Sequence, residues 1–155
     1  MNFYDNKMDF KDYIDIIKNY SSEFSKEFII KNYGIFIGDK SFYRTLSCFE
    51  LLSKTKKVKG DIIEFGIWNG NNLFTLKKIV DFLNLKKNIY GYDNFLGFPN
   101  PLSKLKKVKK GKLGAYAGDP NLLEYIINFF NFKNIKIIND DILNLKKHKK
   151  KFKKI

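Results

Sequence analysis

The chain has 155 residues, the size of about one domain and enough to bury a hydrophobic core. No run approaches the roughly 18 consecutive apolar residues of a membrane span, and the start of the chain lacks the layout of a signal peptide, so we expect a cytoplasmic protein. The single cysteine, Cys48, excludes an internal disulfide, and its helical surroundings favour a structural role.

The net charge of +14 raises the question of nucleic acid as a partner, because clustered basic residues are the usual signature of phosphate binding. Arg44 is the only arginine among the 30 basic residues, whereas proteins that read bases and phosphates favour the guanidinium group. Lysine is spread through the chain, with local clusters at residues 104–110 and 145–155. The composition therefore argues against nucleic acid as the partner.

The first third of the chain is predicted to be helical. Two amphipathic patterns, over residues 8–20 and 42–58, place apolar residues three and four positions apart. The segment 29–41 between them carries turn residues, and Ser41 is a suitable N-cap for the second helix. Together these patterns predict an N-terminal helical cover over residues 1–58.

Three apolar runs further along the chain predict strands. The run 61–67 lacks polar alternation, which is typical of a strand that is buried in a parallel sheet. The runs 88–95 and 135–141 follow as the second and third strands. With helical patterns between them, they predict an α/β fold with a Rossmann-like parallel sheet and helices on both faces.

The two connecting helices have their own start signals. Helical spacing returns over residues 71–85, where Asn71 or Asn72 is placed to cap the helix. It returns again over 119–130, where Asp119 can act as the cap and Pro120 can take the first helical position.

The turn after the first predicted strand carries an acid and two glycines, at Glu64, Gly66 and Gly70. Its spacing differs from the G-x-G-x-x-G of a dinucleotide-binding turn. Glycines let the backbone approach a ligand, but a carboxylate here repels a pyrophosphate and suits a cationic ligand. S-adenosylmethionine has both a sulfonium and an ammonium group, so the pattern indicates this cofactor. For Glu64 alone, a structural role as a helix cap or a lysine partner is an equal alternative.

Acidic residues also end the other two predicted strands. Asp93 ends the second, where its two oxygens can accept hydrogen bonds from both hydroxyls of a ribose. The third ends at Asp140 and Asp141, either of which can accept from an adenine amino group while the amide of Ile142 meets a ring nitrogen. The same acids also suit a helix N-cap. Because parallel strands all end on the same side of the sheet, their carboxyl ends lie next to one another, and the pattern predicts a ligand site there.

Two other residues were weighed as site candidates. Trp68 lies in the glycine turn, and we interpret it as pocket wall or as packing below the pocket. His148 lies in a run of lysines, and we interpret it as a solvated surface residue.

The segments VKGDIIEFGIWNGNNLFTLKKIV and IYGYDNFLGFP resemble the macrocin O-methyltransferase family of class I S-adenosylmethionine-dependent methyltransferases, over about residues 41–145. The most specific pieces are the E-x-G-x-W/Y-x-G turn and the D-x-F-x-G-x-P run that begins at Asp93. The resemblance places Ser41, Tyr43 and Arg44 in a region that borders the cofactor. It implies binding of S-adenosylmethionine by Glu64, Gly66, Trp68, Gly70, Asn72, Asp93, Asn94, Asp141 and Ile142.

The resemblance also implies an activity. Members of the family methylate sugar hydroxyls, so the expected function is O-methylation of a sugar on a small molecule or glycan. The family binds Mg²⁺ through acids on the next strand and later in the chain, and these ligands are expected beyond Ile155. Residues 59–144 would then form the cofactor-binding half of a longer enzyme, followed by a basic segment at 145–155.

A half-sheet of this kind leaves the first strand as an unpaired apolar edge, which predicts a homo-oligomer or pairing with another strand.

Two other classes of protein are alternatives to a methyltransferase. An NAD-dependent enzyme would need the G-x-G-x-x-G turn, which is absent. A non-catalytic binding or scaffold module, with its basic loop and tail on an anionic partner, is compatible with the charge.

Overall fold

The computed structural model describes Asp15 and residues 18–19, 25–98 and 116–148. The chain forms two compact units, Met1–Glu50 and Leu51–Ile155. The sheet and all the residues of the candidate site lie in the second unit. Among the residues that are described, no helix has the length and apolar character needed to cross a membrane.

The described helices that precede the sheet are α1 (Lys26–Lys31), α2 (Tyr33–Phe36) and α3 (Asp39–Lys54). The hydroxyl of Ser25 caps α1 by accepting a hydrogen bond from the backbone N–H of Phe28 at 3.0 Å. The helix predicted over residues 8–20 lies outside the described residues except at Asp15 and 18–19, which are helical.

Two predictions for this region are wrong. Segment 29–41 carries turn residues and was expected to separate two helices, but most of it is helical. Ser41 lies inside α3, where its carbonyl accepts a hydrogen bond from the hydroxyl of Thr45 at 3.0 Å, so it does not cap the helix. The helix begins earlier, at Asp39, because an acid in the first turn interacts favourably with the positive end of the helix dipole.

Three parallel strands form the sheet in the order β1 (Ile62–Phe65), β2 (Ile89–Asp93) and β3 (Ile135–Asn139). Helix α4 (Asn71–Phe82) connects β1 to β2, and helix α5 (Pro120–Phe129) precedes β3. The register pairs Phe65 with Tyr92 and Asp93 with Asn139, so the strands end close together at one edge. The predicted α/β fold with a parallel sheet is confirmed.

The core lies between β2 and the helices. Residues 89–92 of β2 are all buried, as expected for a central strand, and they meet the apolar face of α4. Gly91 is required here, since a Cβ at this position would lie 2.7 Å from Ile67 Cδ1 and 3.0 Å from Leu73 Cδ2. The core residues with less than 2% exposure are Tyr92, Leu73, Ile89, Leu123 and Val80.

The caps of the two connecting helices differ in how well they follow the sequence signals. Helix α5 begins as predicted, with the Asp119 carboxylate accepting from two backbone amides and Pro120 in the first helical position. Helix α4 is capped by Gly70 in a left-handed conformation, with no side-chain hydrogen bond. The predicted caps Asn71 and Asn72 are the first residues of the helix, so that prediction is wrong.

Polar side chains tie the amino ends of the strands together. The carboxylate of Asp61 accepts hydrogen bonds from the backbone N–H of Asn88 at 2.9 Å and from its side-chain Nδ2 at 3.1 Å. Lys87 Nζ donates to the carbonyls of Val58 and Gly60, both at 2.7 Å. These bonds join the amino ends of β1 and β2, at the end of the sheet opposite the candidate site.

Candidate cofactor-binding site

A cleft of about 440 Å³ opens at the carboxyl ends of the three strands. Its volume lies in the range typical of small-molecule sites. Among the described residues that line it, three are acids, five are aromatic and none is a lysine or arginine. The lining residues are Phe65, Gly66, Trp68, Tyr92, Asp93, Asn94, Gly97, Phe98, Tyr116, Asp140, Asp141 and Ile142.

Asp93 joins the two loops that border the cleft. Its Oδ2 accepts a hydrogen bond from the backbone N–H of Trp68, in the turn after β1, at 2.8 Å. Its Oδ1 accepts from the backbone N–H of Phe95, in the loop after β2, also at 2.8 Å. A carboxylate has about four lone-pair sites, so each oxygen can accept one more hydrogen bond from a ligand.

The loops around Asp93 hold large side chains in an unfavourable backbone conformation. Trp68, Phe95 and Tyr116 have φ angles of 48°, 57° and 64°, in the left-handed region where bulky residues are uncommon. The Asp93 carboxylate bonds the amide of the first two residues directly. Such conformations persist where surrounding contacts determine them, and they are concentrated at functional sites.

Only some of the residues that were predicted to bind the ligand from the glycine turn line the cleft. Gly66 lines the cleft with a φ of 75°, and a Cβ added there would meet nothing within 4 Å. Gly70 has a φ of 76° and packs inward, where a Cβ would lie 2.7 Å from Leu123 Cδ2. Glu64 is half-buried, and its Oε1 accepts a hydrogen bond from Asn72 Nδ2 at 3.0 Å. This bond ties β1 to the start of α4.

The end of β3 turns into a 3₁₀ helix at Ile142–His148. Asp141 Oδ1 accepts from the backbone N–H of Leu143 at 2.8 Å, so the alternative role of this acid as a helix cap is realised. The hydroxyl of Tyr92 donates to the Asp141 carbonyl at 2.8 Å. Burial, followed by the nearby charges of Asp140 and Asp141, raises the pKa of Tyr92, so this hydroxyl stays protonated and remains a donor.

Asp140 is the most extensively bonded acid in the cleft. Its Oδ2 lies 2.7 Å from His148 Nε2, and its Oδ1 accepts from Asn144 Nδ2 and from the backbone N–H of Asp141, both at 2.7 Å. The hydrogen bonds from His148 and Asn144 lower the pKa of Asp140 to about 2. The side chain of His148 is only 15% exposed, so its interpretation as a solvated surface residue is wrong.

One wall of the cleft is aromatic. The Trp68 and Tyr116 rings meet edge to face with centroids 5.5 Å apart, and Tyr116 meets Phe98 in the same way at 5.4 Å. Trp68 Nε1 donates to the carbonyl of Ala117 at 3.1 Å, which fixes the indole in place. The indole is nevertheless 44% exposed, so it is both held rigidly and accessible to a ligand.

The structure thus divides the sequence-predicted residues into two groups. Six of them line the cleft: Gly66, Trp68, Asp93, Asn94, Asp141 and Ile142. The other three, Glu64, Gly70 and Asn72, lie behind it in the turn and the start of α4. Ser41, Tyr43 and Arg44 are exposed on α3 in the first unit.

Sequence reasoning missed Tyr92, Phe98 and Tyr116 as parts of the cleft. Tyr92 and Phe98 both lie within the quoted segment IYGYDNFLGFP, but an aromatic residue in an aromatic-rich chain carries no specific signal. His148 was missed because its partner, Asp140, is eight positions away and is reached only through the 3₁₀ helix.

A solved structure shares this fold. The structure of CalS11, a calicheamicin methyltransferase, matches with a TM-score of 0.70 and 18% sequence identity, covering 92% of this chain and 65% of that one. The structure of the O-methyltransferase NovP matches with a TM-score of 0.46 and 18% identity, covering 66% of this chain and 45% of that one. No family model and no curated protein matches the sequence.

The chain thus spans less than two thirds of the length of CalS11. At 18% identity the similarity establishes architecture, and it agrees with the fold that the sequence resemblance implied. The chain has the Rossmann-like α/β fold that is found in the methyltransferase CalS11.

Proposed function

We propose that the cleft binds S-adenosylmethionine, and that the chain forms the cofactor-binding part of an O-methyltransferase that acts on a sugar hydroxyl. The observation that carries this proposal is the acidic cleft at the carboxyl ends of the strands. Asp93, Asp140 and Asp141 line it, and no lysine or arginine is found among its lining residues within 25–98 and 116–148, although the whole chain has a net charge of +14. Open α/β sheets bind their ligands at this edge.

The negative charge of the cleft favours cationic nucleotide-like ligands over anionic ones. A pyrophosphate group would meet the carboxylates of Asp93, Asp140 and Asp141, and the part of the lining that the structure describes has no basic side chain to offset them, so a dinucleotide is disfavoured. A sulfonium and an ammonium group are attracted by the same carboxylates. The cleft therefore suits a cofactor that combines an adenosine part with a positively charged amino-acid part.

The cleft residues have distinct roles in the proposal. Asp93 accepts hydrogen bonds from the ribose hydroxyls, since each of its oxygens retains a lone pair after bonding one backbone amide. Asp141 and Ile142 meet the adenine edge, and Asn94 lies beside the ribose. Gly66 leaves open space in which the backbone approaches the methionine part.

Glu64, Gly70 and Asn72 support the turn from behind. The Glu64–Asn72 hydrogen bond fixes the start of α4, and Gly70 allows α4 to pack closely against Leu123 of α5. Their role in binding is therefore through the shape of the turn, which refines the sequence prediction of direct contact.

The cofactor supplies an electrophilic methyl group when it is bound. The residues of this chain bind and orient it. Among the described residues no group of three His, Cys, Asp or Glu side chains is placed to hold a metal ion. The magnesium implied by the family resemblance stays a prediction, and no role assigned here depends on it.

A sugar acceptor is consistent with the aromatic wall. Trp68, Phe98 and Tyr116 expose 44%, 43% and 62% of their surface, and the Tyr116 ring contacts the other two edge to face. The apolar C–H face of a sugar ring packs on such surfaces while its hydroxyls stay solvated.

The outer side of β1, which is the edge strand of the described sheet, supports a further part of the proposal. Within the described residues β1 pairs only with β2, so its other side presents unpaired backbone groups. We propose that another strand, from the same protein or from a second subunit, pairs with this edge.

Calorimetry tests the proposed function. S-adenosylmethionine and its demethylated product S-adenosylhomocysteine are expected to bind, whereas NAD⁺ should not. Asp93→Ala should abolish binding, while Asp61→Ala at the opposite end of the sheet should not change it. Lack of binding to a folded sample, or salt-sensitive binding of a polyanion without a response to the cofactor, would contradict the proposal and favour a scaffold module.

A further inference from the structure

His148 differs from the lysines around it in burial and in its partners. Its side chain is 15% exposed, and its Nε2 lies 2.7 Å from Oδ2 of Asp140. Its ring meets the ring of Tyr92 edge to face, with centroids 5.8 Å apart. A half-buried imidazole with two defined contacts has a function in the fold that a solvated histidine lacks.

The Asp140 carboxylate contacts the 3₁₀ helix along its whole length. It accepts a hydrogen bond from the backbone of Asp141, just before the helix, and from Asn144 within it, and it pairs with His148 at its end. The helix has seven residues, whereas 3₁₀ segments longer than three or four residues are uncommon because their hydrogen-bond geometry is poor. The helix therefore depends on these side-chain bonds.

The start of this helix is also a wall of the cleft. Asp140, Asp141 and Ile142 line the cleft, and the carbonyl of Asp141 is fixed from the other side by the hydroxyl of Tyr92. His148 itself is not among the lining residues. Any effect of His148 on a ligand must therefore pass through a lining residue that it contacts, either Asp140 with the helix that it bonds or Tyr92.

We propose that His148 is a positioning residue for the cleft. Through Asp140 it holds the 3₁₀ helix so that the acid and the amide at its start keep the geometry that an adenine edge requires. This inference rests on the proposed binding of S-adenosylmethionine. Asp140 remains ionised at neutral pH, because hydrogen bonds from His148 and Asn144 keep its pKa at about 2, so the pairing is charge-assisted when the imidazole donates.

Three variants of the full chain separate this role from simple packing. His148→Phe removes the hydrogen-bonding nitrogen but keeps a ring against Tyr92. His148→Gln restores a donor without the ring. Lys146→Ala changes an exposed residue of the same helix and serves as the matched control.

Calorimetry with S-adenosylhomocysteine and with adenosine provides the readout. His148→Phe should weaken binding of both ligands about tenfold, the effect expected for loss of one charge-assisted hydrogen bond. His148→Gln should recover most of that loss, and Lys146→Ala should bind like the unmodified chain. Amide exchange at Leu143 and Asn144, whose N–H groups bond Asp141, should be faster in His148→Phe.

The outcomes distinguish the inference from the proposed function. If the unmodified chain binds neither ligand, the proposed function is overturned and this inference with it. If it binds and His148→Phe binds equally well, the inference alone is overturned. If His148→Phe weakens binding but His148→Gln does not recover it, the weakening does not come from the lost hydrogen bond to Asp140, and the inference is also overturned. Should His148→Phe not fold, His148→Asn, whose shorter amide does not reach the position of Nε2, replaces it with the same expected weakening.

Discussion

Asp61 and Asp93 lie at opposite ends of the same sheet and have the same bonding capacity. Each is half-buried, and each carboxylate accepts two hydrogen bonds of 2.8–3.1 Å. Asp61 receives both from Asn88, through its backbone and its side chain. Asp93 receives them from two different loops, at Trp68 and Phe95.

The difference lies in what the bonded groups do. At the amino end, the hydrogen bonds of Asp61 join the starts of two regular strands, β1 and β2. At the carboxyl end, the Asp93 bonds hold two bulky residues in the left-handed conformation, which costs roughly 1–2 kcal/mol for each. The comparison teaches that one residue type joins two strands at one end of the sheet and fixes the two loops that border the cleft at the other.

The largest expected effect is on stability, at the glycines of the carboxyl end. Gly70→Ala should lower the free energy of unfolding by about 3 kcal/mol, since it combines a left-handed backbone with a Cβ 2.7 Å from buried Leu123. Gly66→Ala has the same φ but open space, so about 1 kcal/mol is expected. Urea denaturation measures both, and equal losses would contradict the packing difference.

Exchanging each aspartate for asparagine tests the comparison itself. Either change places an amide donor against an N–H group, so Asp93→Asn and Asp61→Asn should each destabilise the protein by about 1–3 kcal/mol. Only Asp93→Asn should weaken binding of S-adenosylhomocysteine, by at least tenfold, because it also removes a charge from the cleft. Denaturation and calorimetry on both variants check this, and equal weakening of binding would show that the two ends are not functionally distinct.

A smaller effect on stability is expected at Tyr92, whose hydroxyl holds the cleft wall through the carbonyl of Asp141. Tyr92→Phe removes the hydrogen bond to the Asp141 carbonyl and should cost about 1 kcal/mol of stability. Thermal unfolding measures the loss, and an amide shift at Ile142 in NMR spectra should accompany it. An unchanged melting temperature would mean that Tyr92 fills space without holding the wall.

The smallest effect is a dependence on pH. Hydrogen bonds from His148 and Asn144 lower the pKa of Asp140 from 3.8 to about 2. The ionised form is thus favoured by folding, so its contribution is complete above pH 3.8 and is lost as the pH falls through about 2. Asp140→Asn should flatten the loss of stability in this window, as followed by circular dichroism. Parallel acid-unfolding curves would contradict this prediction.

Much of the sheet was predictable because its signals are local. The apolar runs located β1, β2 and β3 to within about two residues, and Asp119 with Pro120 fixed the start of α5. The strands were predicted too long at their carboxyl ends. The run that contains β1 stays apolar through Ile67, but Gly66 adopts a positive φ and ends the strand at Phe65.

The parts that were not predictable depend on contacts between distant residues. Asn32 and Gly34 are typical turn residues, yet they lie between and within the short helices α1 and α2. Asn72 was placed as a cap but bonds Glu64, eight positions earlier, once the turn between them has formed. His148 looked solvated because the lysine run around it hides its pairing with Asp140.

The fluorescence of Trp68 tests the proposed binding site most directly, because it is the only tryptophan of the chain and it lines the cleft. Excited where tyrosine does not absorb, its emission reports on this position alone. We predict a saturable change on titration with S-adenosylhomocysteine, with the same dissociation constant that calorimetry gives. Calorimetric binding that leaves the emission of Trp68 unchanged would place the ligand elsewhere and contradict the site.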